Sequence, residues 1–253
     1  MKAVFIFDTV LVKKKDNNYY GMTLTHDFFK NRYLTFYDEI IVTTRYRDKV
    51  ELSGDIDGYK ITNGENVDII PIKNYKEIPD ILKAKKIKKE LTKIISKCDI
   101  AIIRMPSILG IMACKICKKL NKDYRIELVA CPLDGYWNHT NPIGKIIAPF
   151  MYFKTKKCVK NAPKVLYVTK KFLQKRYPTD GEEYSASDVV IEARKDEILE
   201  KRLQKIKNMS EKEIKLCTVA NVGLKSKGQK YVIKAISKLN KNNHNKYKYY
   251  LVR

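Results

Sequence analysis

The chain has 253 residues, 44% of them hydrophobic, which is enough for one substantial buried core and a remainder. Its net charge of +24, from 43 Lys and 9 Arg against 28 acidic residues, attracts polyanions, phosphate-bearing substrates and anionic headgroups alike. The lysines are spread along nearly every segment with no zinc-finger, basic-zipper or RNP-type motif, which argues against a nucleic-acid partner, and no apolar run approaches the ~18 residues that span a bilayer.

Residues 2–8 read as a buried first strand. Because residues 1–12 include Asp8, they do not form a signal peptide, and the expectation is a reducing cytoplasm with free thiols at Cys98, Cys114, Cys117, Cys131, Cys158 and Cys217. Residues 16–23 follow as a loop with Gly21 shortly before a helix at 25–34. Further strands are predicted at 39–44, 67–71, 99–103, 125–130 and 164–169, and helices at 80–97, 107–120 and 143–160, while the Gly/Asp/Asn-rich stretch 53–65 reads as a loop or hairpin. Ile/Val-rich strands alternating with helices predict a mainly parallel, Rossmann-like α/β sheet covered on both faces. Ligands of such sheets bind beyond the carboxyl ends of the strands.

Residues 178–212 form a boundary region, with a charged helix at 193–208, and the junction is placed near residue 190. Beyond it come a strand at 213–220, a Lys/Gly-rich loop at 221–229, a helix at 230–239 and a strand at 247–252, which together make one βαβ unit. A doubly wound domain takes roughly 100 to 150 residues, so the expectation is a domain at 1–190 followed, at 191–253, by a linker helix and the start of an incomplete second Rossmann-like domain.

The chemistry concentrates just after strands. Arg104 follows the strand at 99–103 and precedes Ser107 at a helix start. There it either joins helix amides in holding a phosphate or a sugar hydroxyl, or pairs with a neighbouring acid to fix the loop. Residues 131–139 bring together Asp134, Trp137, Asn138 and His139. An aromatic face stacks on sugar rings, carboxylates and amides bind hydroxyls, and Asp134 or His139 suits a general base. The plainer reading is a structural loop in which Trp137 fills a gap and His139 caps a helix. Cys114 and Cys117 have Cys-x-x-Cys spacing inside a helix with no second pair, and read as structural. Residues 146–153 (IIAPFMYF), followed by Lys154, Lys156, Lys157 and Lys160, suit contact with an anionic membrane surface, whereas the lysine-rich helix at 82–97 reads as core-facing with a solvated back.

Three blocks carry a family resemblance: DIAIIRMPSILG at 99–110, ELVACPLDGYWNH with GKIIAP at 127–149, and VLYVTKKFLQKRYP at 165–178. They resemble GT-B glycosyltransferases, family 4-like, of bacterial capsule and surface-polysaccharide synthesis. Leu133 stands where family members more often have Trp. The resemblance implies a hexosyltransferase using a nucleotide sugar as co-substrate, with no cofactor and no metal, acting on a glycan or lipid-linked glycan acceptor in the cytoplasm or peripherally on the inner face of the cell membrane. It implies acceptor recognition by Arg104, Ser107, Trp137, Asn138 and the Gly21 loop, catalysis by His139 and Asp134, and donor contacts from Lys225, Lys227 and Gly228. The arginine expected beside the donor lysine is not matched, and the glutamate pair of the donor site falls beyond Arg253, so the expectation is a truncated donor domain with impaired transfer. The alternative is a non-enzymatic remnant that binds glycan, membrane or a polysaccharide-assembly partner.

Overall fold

The protein was analysed as a computed structural model that describes residues 1–48, 58–73, 81–138, 142–189, 196–208, 213–220, 222, 227–242 and 246–252. Strand β1 (Lys2–Lys13) is longer than its apolar opening, because its pairing with β3 (Glu39–Asp48) shifts register between Ile6 and Val10 and then resumes. The shift takes Asp8 out of the regular ladder in the middle of the sheet. The end of β1 carries a short antiparallel extension, β2 (Tyr19–Gly21) followed by β4 (Lys60–Ile61). Neither was visible as a strand in the sequence, since two or three residues are too few to show alternation.

The remaining strands are parallel. Strands β5 (Val67–Ile69) and β6 (Ile72–Lys73) lie along successive stretches of β3, while β7 (Ile100–Met105) pairs with β1 on its other side. Outward from β7 come β8 (Asp123–Leu128), β9 (Lys164–Tyr167) and β10 (Glu182–Ser185). The parallel order is therefore β5/β6, β3, β1, β7, β8, β9, β10. The chain runs outward from β1 in one direction and returns to β7 to run outward in the other, so the β1/β7 boundary is the topological switch point of a Rossmann-like sheet.

Both faces of this sheet are covered at its centre. Ala3, Phe5 and Ile102 cluster with Phe29, Tyr33 and Tyr37 from and beyond α1 (His26–Arg32), whose start is capped by the Thr25 side chain. The next residue in β7, Ile103, points the opposite way, toward α3 (Ile108–Leu120). A Cβ on Gly110 would lie 2.5 Å from Met105 Sδ and 3.0 Å from Ile103 Cγ2, so a glycine is what lets α3 lie this close to β7. Helix α2 (Ile81–Ser96) packs against α3, burying Ile87, Leu91, Ile94 and Ile95 as a core-facing stripe. Two short helices, α4 (Pro132–Trp137) and α6 (Phe172–Arg176), and the long α5 (Ile143–Lys160) complete this part of the chain.

The molecule divides into two compact units, one of residues 1–132 and 150–188, the other of residues 133–149 and 189–253. The second contains α7 (Asp196–Lys207), β11 (Glu213–Val219), α8 (Gln229–Asn242) and β12 (Lys246–Val252). Strands β11 and β12 pair in parallel with α8 between them in sequence, forming the βαβ unit read from periodicity. No helix among the described residues is long and apolar enough to cross a membrane.

Candidate functional site

At the switch point, the features that would attract an anion converge on a carboxylate of the chain itself. Arg45 Nε donates to Asp8 Oδ1 at 2.6 Å and its guanidinium also donates to the Asp8 backbone carbonyl at 2.6 Å. The other carboxylate oxygen accepts the Ile108 backbone N–H at 3.0 Å, at the first turn of α3. Ser107 Oγ accepts from Gly110 N at 2.8 Å, so this predicted site residue is the N-cap of α3. Asp8 therefore sits where a phosphate would otherwise meet a helix start and an arginine. Its signal in the sequence was a lone acid inside an apolar strand, read there only as evidence about the chain's start.

Arg104 is buried, with 9% of its surface exposed. It donates to Glu127 at 3.2 Å and to Asp188 at 2.9 Å, and its guanidinium lies over the rings of Phe7 and Phe28 at 5.8 and 5.6 Å from their centres. Glu127 also accepts the Tyr33 hydroxyl at 2.9 Å, and burial together with this carboxylate holds the Tyr33 phenol well above its ordinary range. Of the two readings the sequence left open, the structure shows the arginine paired with acids. Tyr33 and Asp188 are distant in sequence and carried no motif, and Glu127 opens the block at 127–149 without any sign of its partner, so only folding brings them to Arg104.

Beside this network, on the α1 side of β8 to β10, lies an open cleft of about 540 Å³ whose lining includes Arg32, Phe36, Arg125, Lys164 and Tyr184. Gly21 is buried at the end of β2. A Cβ there would stand 2.8 Å from Leu11 Cδ2 and 2.9 Å from the Leu24 carbonyl, so the protein's own packing accounts for the glycine.

Asp134, Trp137 and Asn138 belong to the second unit, on α4 and its C-terminal end. The Asp134 carbonyl accepts both the backbone N–H and the side-chain amide of Asn138, at 3.1 and 2.9 Å. Trp137 is half exposed, with Lys145 Nζ 6.0 Å from the centre of its ring, so an indole face stands at the surface rather than filling a gap. Asp134 and Trp137 thus share one short helix with Asn138 just after it, whereas Arg104 and Ser107 belong to the switch point of the first unit. His139 lies outside the described residues, as does Lys225.

In the βαβ unit, exposed Lys227 and half-buried Gly228 immediately precede α8. Gly228 has φ +78°, a left-handed conformation that a glycine adopts without strain, and its carbonyl accepts Tyr231 N–H at 2.9 Å. This places a lysine at the N-terminal end of a 14-residue helix, the positive end of its dipole. Among the described residues no group of three or more His, Cys, Asp or Glu side chains is placed to hold a metal ion.

The strand order, the βαβ crossovers and the switch point define a Rossmann-like α/β protein of the kind that forms half of a GT-B fold. The chain is 37% identical over 243 residues to Protein CapJ of Staphylococcus aureus; the match covers 94% of this chain and 58% of CapJ. It therefore spans little more than half the length of that relative. Among solved structures it resembles sucrose-phosphate synthase from Thermosynechococcus elongatus, with a TM-score of 0.53 at 11% identity, over 99% of this chain and 62% of that one. A weaker likeness, TM-score 0.44 at 8% identity, links 88% of this chain to 58% of Arabidopsis thaliana UGT89C1 complexed with UDP-L-rhamnose. No family model matches the chain.

Proposed function

We propose that this chain is part of a glycosyltransferase of capsule or surface-polysaccharide synthesis, which transfers a hexose from a nucleotide sugar to a glycan or lipid-linked glycan acceptor. The observation that carries the reading is the 37% identity to Protein CapJ along 94% of the chain. A parallel sheet shared with sucrose-phosphate synthase supports it, as do the three sequence blocks that resemble family 4-like enzymes. In this reading the acceptor side is the exposed Trp137 face, flanked by Asp134 and Asn138 and followed in sequence by His139. The tryptophan stacks on a sugar ring, and Asp134 or His139 takes the proton of the attacking hydroxyl as its oxygen bonds to the anomeric carbon. Lys227 and the N-terminal end of α8 bear the charge that develops on the departing nucleoside diphosphate. Lys225, two residues earlier, adds to that charge.

Arg104 has a different part. Held by Glu127 and Asp188, it ties β7 to β8 and to the segment after β10 rather than binding substrate. Contact with the membrane that would carry a lipid-linked acceptor is assigned to α5, where Phe150 and Phe153 are 56% and 66% exposed beside Lys154 and Lys157.

The test is nucleoside diphosphate release from a panel of uridine and guanosine diphosphate hexoses, with lipid-linked glycan extracted from capsule-forming membranes as acceptor. Release that requires acceptor and is lost in Trp137→Ala supports the reading. Saturable glycan binding at Trp137 without release from any donor would replace it with a glycan-binding role.

A further inference from the structure

Cys-x-x-Cys spacing directs attention to Cys114 and Cys117, yet the fold pairs Cys114 with a different partner. Cys114 on α3 and Cys158 on α5 both line a cleft of about 170 Å³ between the two helices, and Lys115, Lys118, Lys154 and Lys157 line it with them. Cys114 is buried and Cys158 is partly exposed at the cleft. The Cys114 thiol beside it, followed by the charges of Lys115, Lys118 and Lys154, holds the Cys158 thiol below its ordinary range, while burial beside Cys158 keeps Cys114 above it. The mechanism proposed above uses neither thiol.

We propose that Cys158 and Cys114 are a redox pair, with Cys158 the thiol that hydrogen peroxide oxidises first and Cys114 the thiol that resolves the product into a disulfide joining α5 to α3. The cleft is several times the volume of a water molecule and admits hydrogen peroxide. The Cys158 thiolate attacks one peroxide oxygen. An S–O bond forms, the O–O bond breaks, and the departing hydroxide takes up a proton to leave as water. Cys114, on losing its proton, attacks the sulfur of the Cys158 sulfenic acid. An S–S bond forms, the S–O bond breaks, and the hydroxide leaves as a second water with the Cys114 proton. Two thiols are oxidised by two electrons in total and one hydrogen peroxide is reduced to two waters. Cys117, fully buried and pushed up to about 12 by burial, stays a protonated thiol and takes no part.

The experiment treats the purified chain with hydrogen peroxide at neutral pH and maps its cysteine peptides without reduction over time. The expected result is a Cys114–Cys158 disulfide, with Cys158 consumed at least about tenfold faster than the exposed Cys217. In Cys114→Ser, Cys158 should instead accumulate as a sulfenic acid that dimedone traps, and Lys115→Gln with Lys154→Gln should slow its formation. A Cys114–Cys117 disulfide would overturn the proposal. So would oxidation of Cys217 ahead of Cys158, or loss of Cys158 to sulfinic acid with Cys114 still reduced, and each of these is read on the unsubstituted chain.

Discussion

Asp8 and Arg45, 37 residues apart in sequence, form a buried ion pair at 2.6 Å whose carboxylate also accepts the first turn of α3. One side chain thus links β1, β3 and α3 at the point where the strand order reverses. The site that in this type of sheet faces ligand is here tied together by the chain's own charges.

Removing the carboxylate leaves a buried guanidinium without its counter-charge and a helix start without its acceptor. Asp8→Ala is expected to lower unfolding stability by about 3 kcal/mol, at the lower end of the range for breaking a buried pair. Urea denaturation at pH 7 checks this, and a loss near the ~0.5 kcal/mol typical of surface substitutions would contradict it.

Arg104 bridges two acids that no single ammonium reaches with the same geometry. Arg104→Lys is expected to cost about 2 kcal/mol of stability, because the planar fork that meets Glu127 and Asp188 is lost. Trp137→Ala, at an exposed position, is expected to change stability by no more than about 0.5 kcal/mol. Parallel denaturation of the two variants separates a positioning residue from a surface binding residue; equal losses would remove the distinction.

The acceptor-side roles proposed for Trp137 and His139 have different kinetic signatures. Under the proposed reading, Trp137→Ala should raise KM for acceptor about tenfold with kcat little changed, since stacking contributes to binding throughout. His139→Ala should lower kcat by about a hundredfold if the imidazole takes the proton, and an unchanged kcat would leave that role to Asp134.

Alkaline stability follows from buried acids held in their protonated forms. Cys117, ordinarily near 9.0, and Tyr167, ordinarily near 10.0, are each pushed up to about 12 by burial. Between those limits the unfolded chain has released protons that the folded chain still holds, so stability is fully present below pH 9 and falls as pH rises toward 12. Each such group contributes a slope of up to about 1.4 kcal/mol per pH unit. Denaturation curves at pH 8, 9.5 and 11 should show a shallower decline for Cys117→Ala than for the unsubstituted chain, whatever the variant loses in packing.

Phe150 and Phe153 stand exposed beside Lys154, whose ammonium lies 5.5 Å from the centre of the Phe150 ring. If α5 meets a membrane surface, co-sedimentation with vesicles containing anionic phospholipid should fall as salt rises, and fall further in Phe150→Glu. Equal binding by Phe150→Glu and the unsubstituted chain would remove α5 as the anchor.

The sequence by itself determined the alternation of strands and helices, the parallel sheet and the βαβ unit at 213–252, because hydrophobic period is a local property and each of these elements is long enough to show it. Helix α5 begins and ends where its apolar spacing does. Periodicity could not reveal β2 and β4, which exist only because β1 offers an edge to β2 and β2 in turn offers one to β4. Nor could it settle the partners of charges and thiols. Whether Arg104 holds a ligand or two acids depended on Glu127 and Asp188, and whether Cys114 belongs with Cys117 or Cys158 depended on the packing of α3 beside α5. Electrostatic and sulfur contacts act over a few ångströms in space, and residues that close can be tens of positions apart in the chain, so the fold alone selected them.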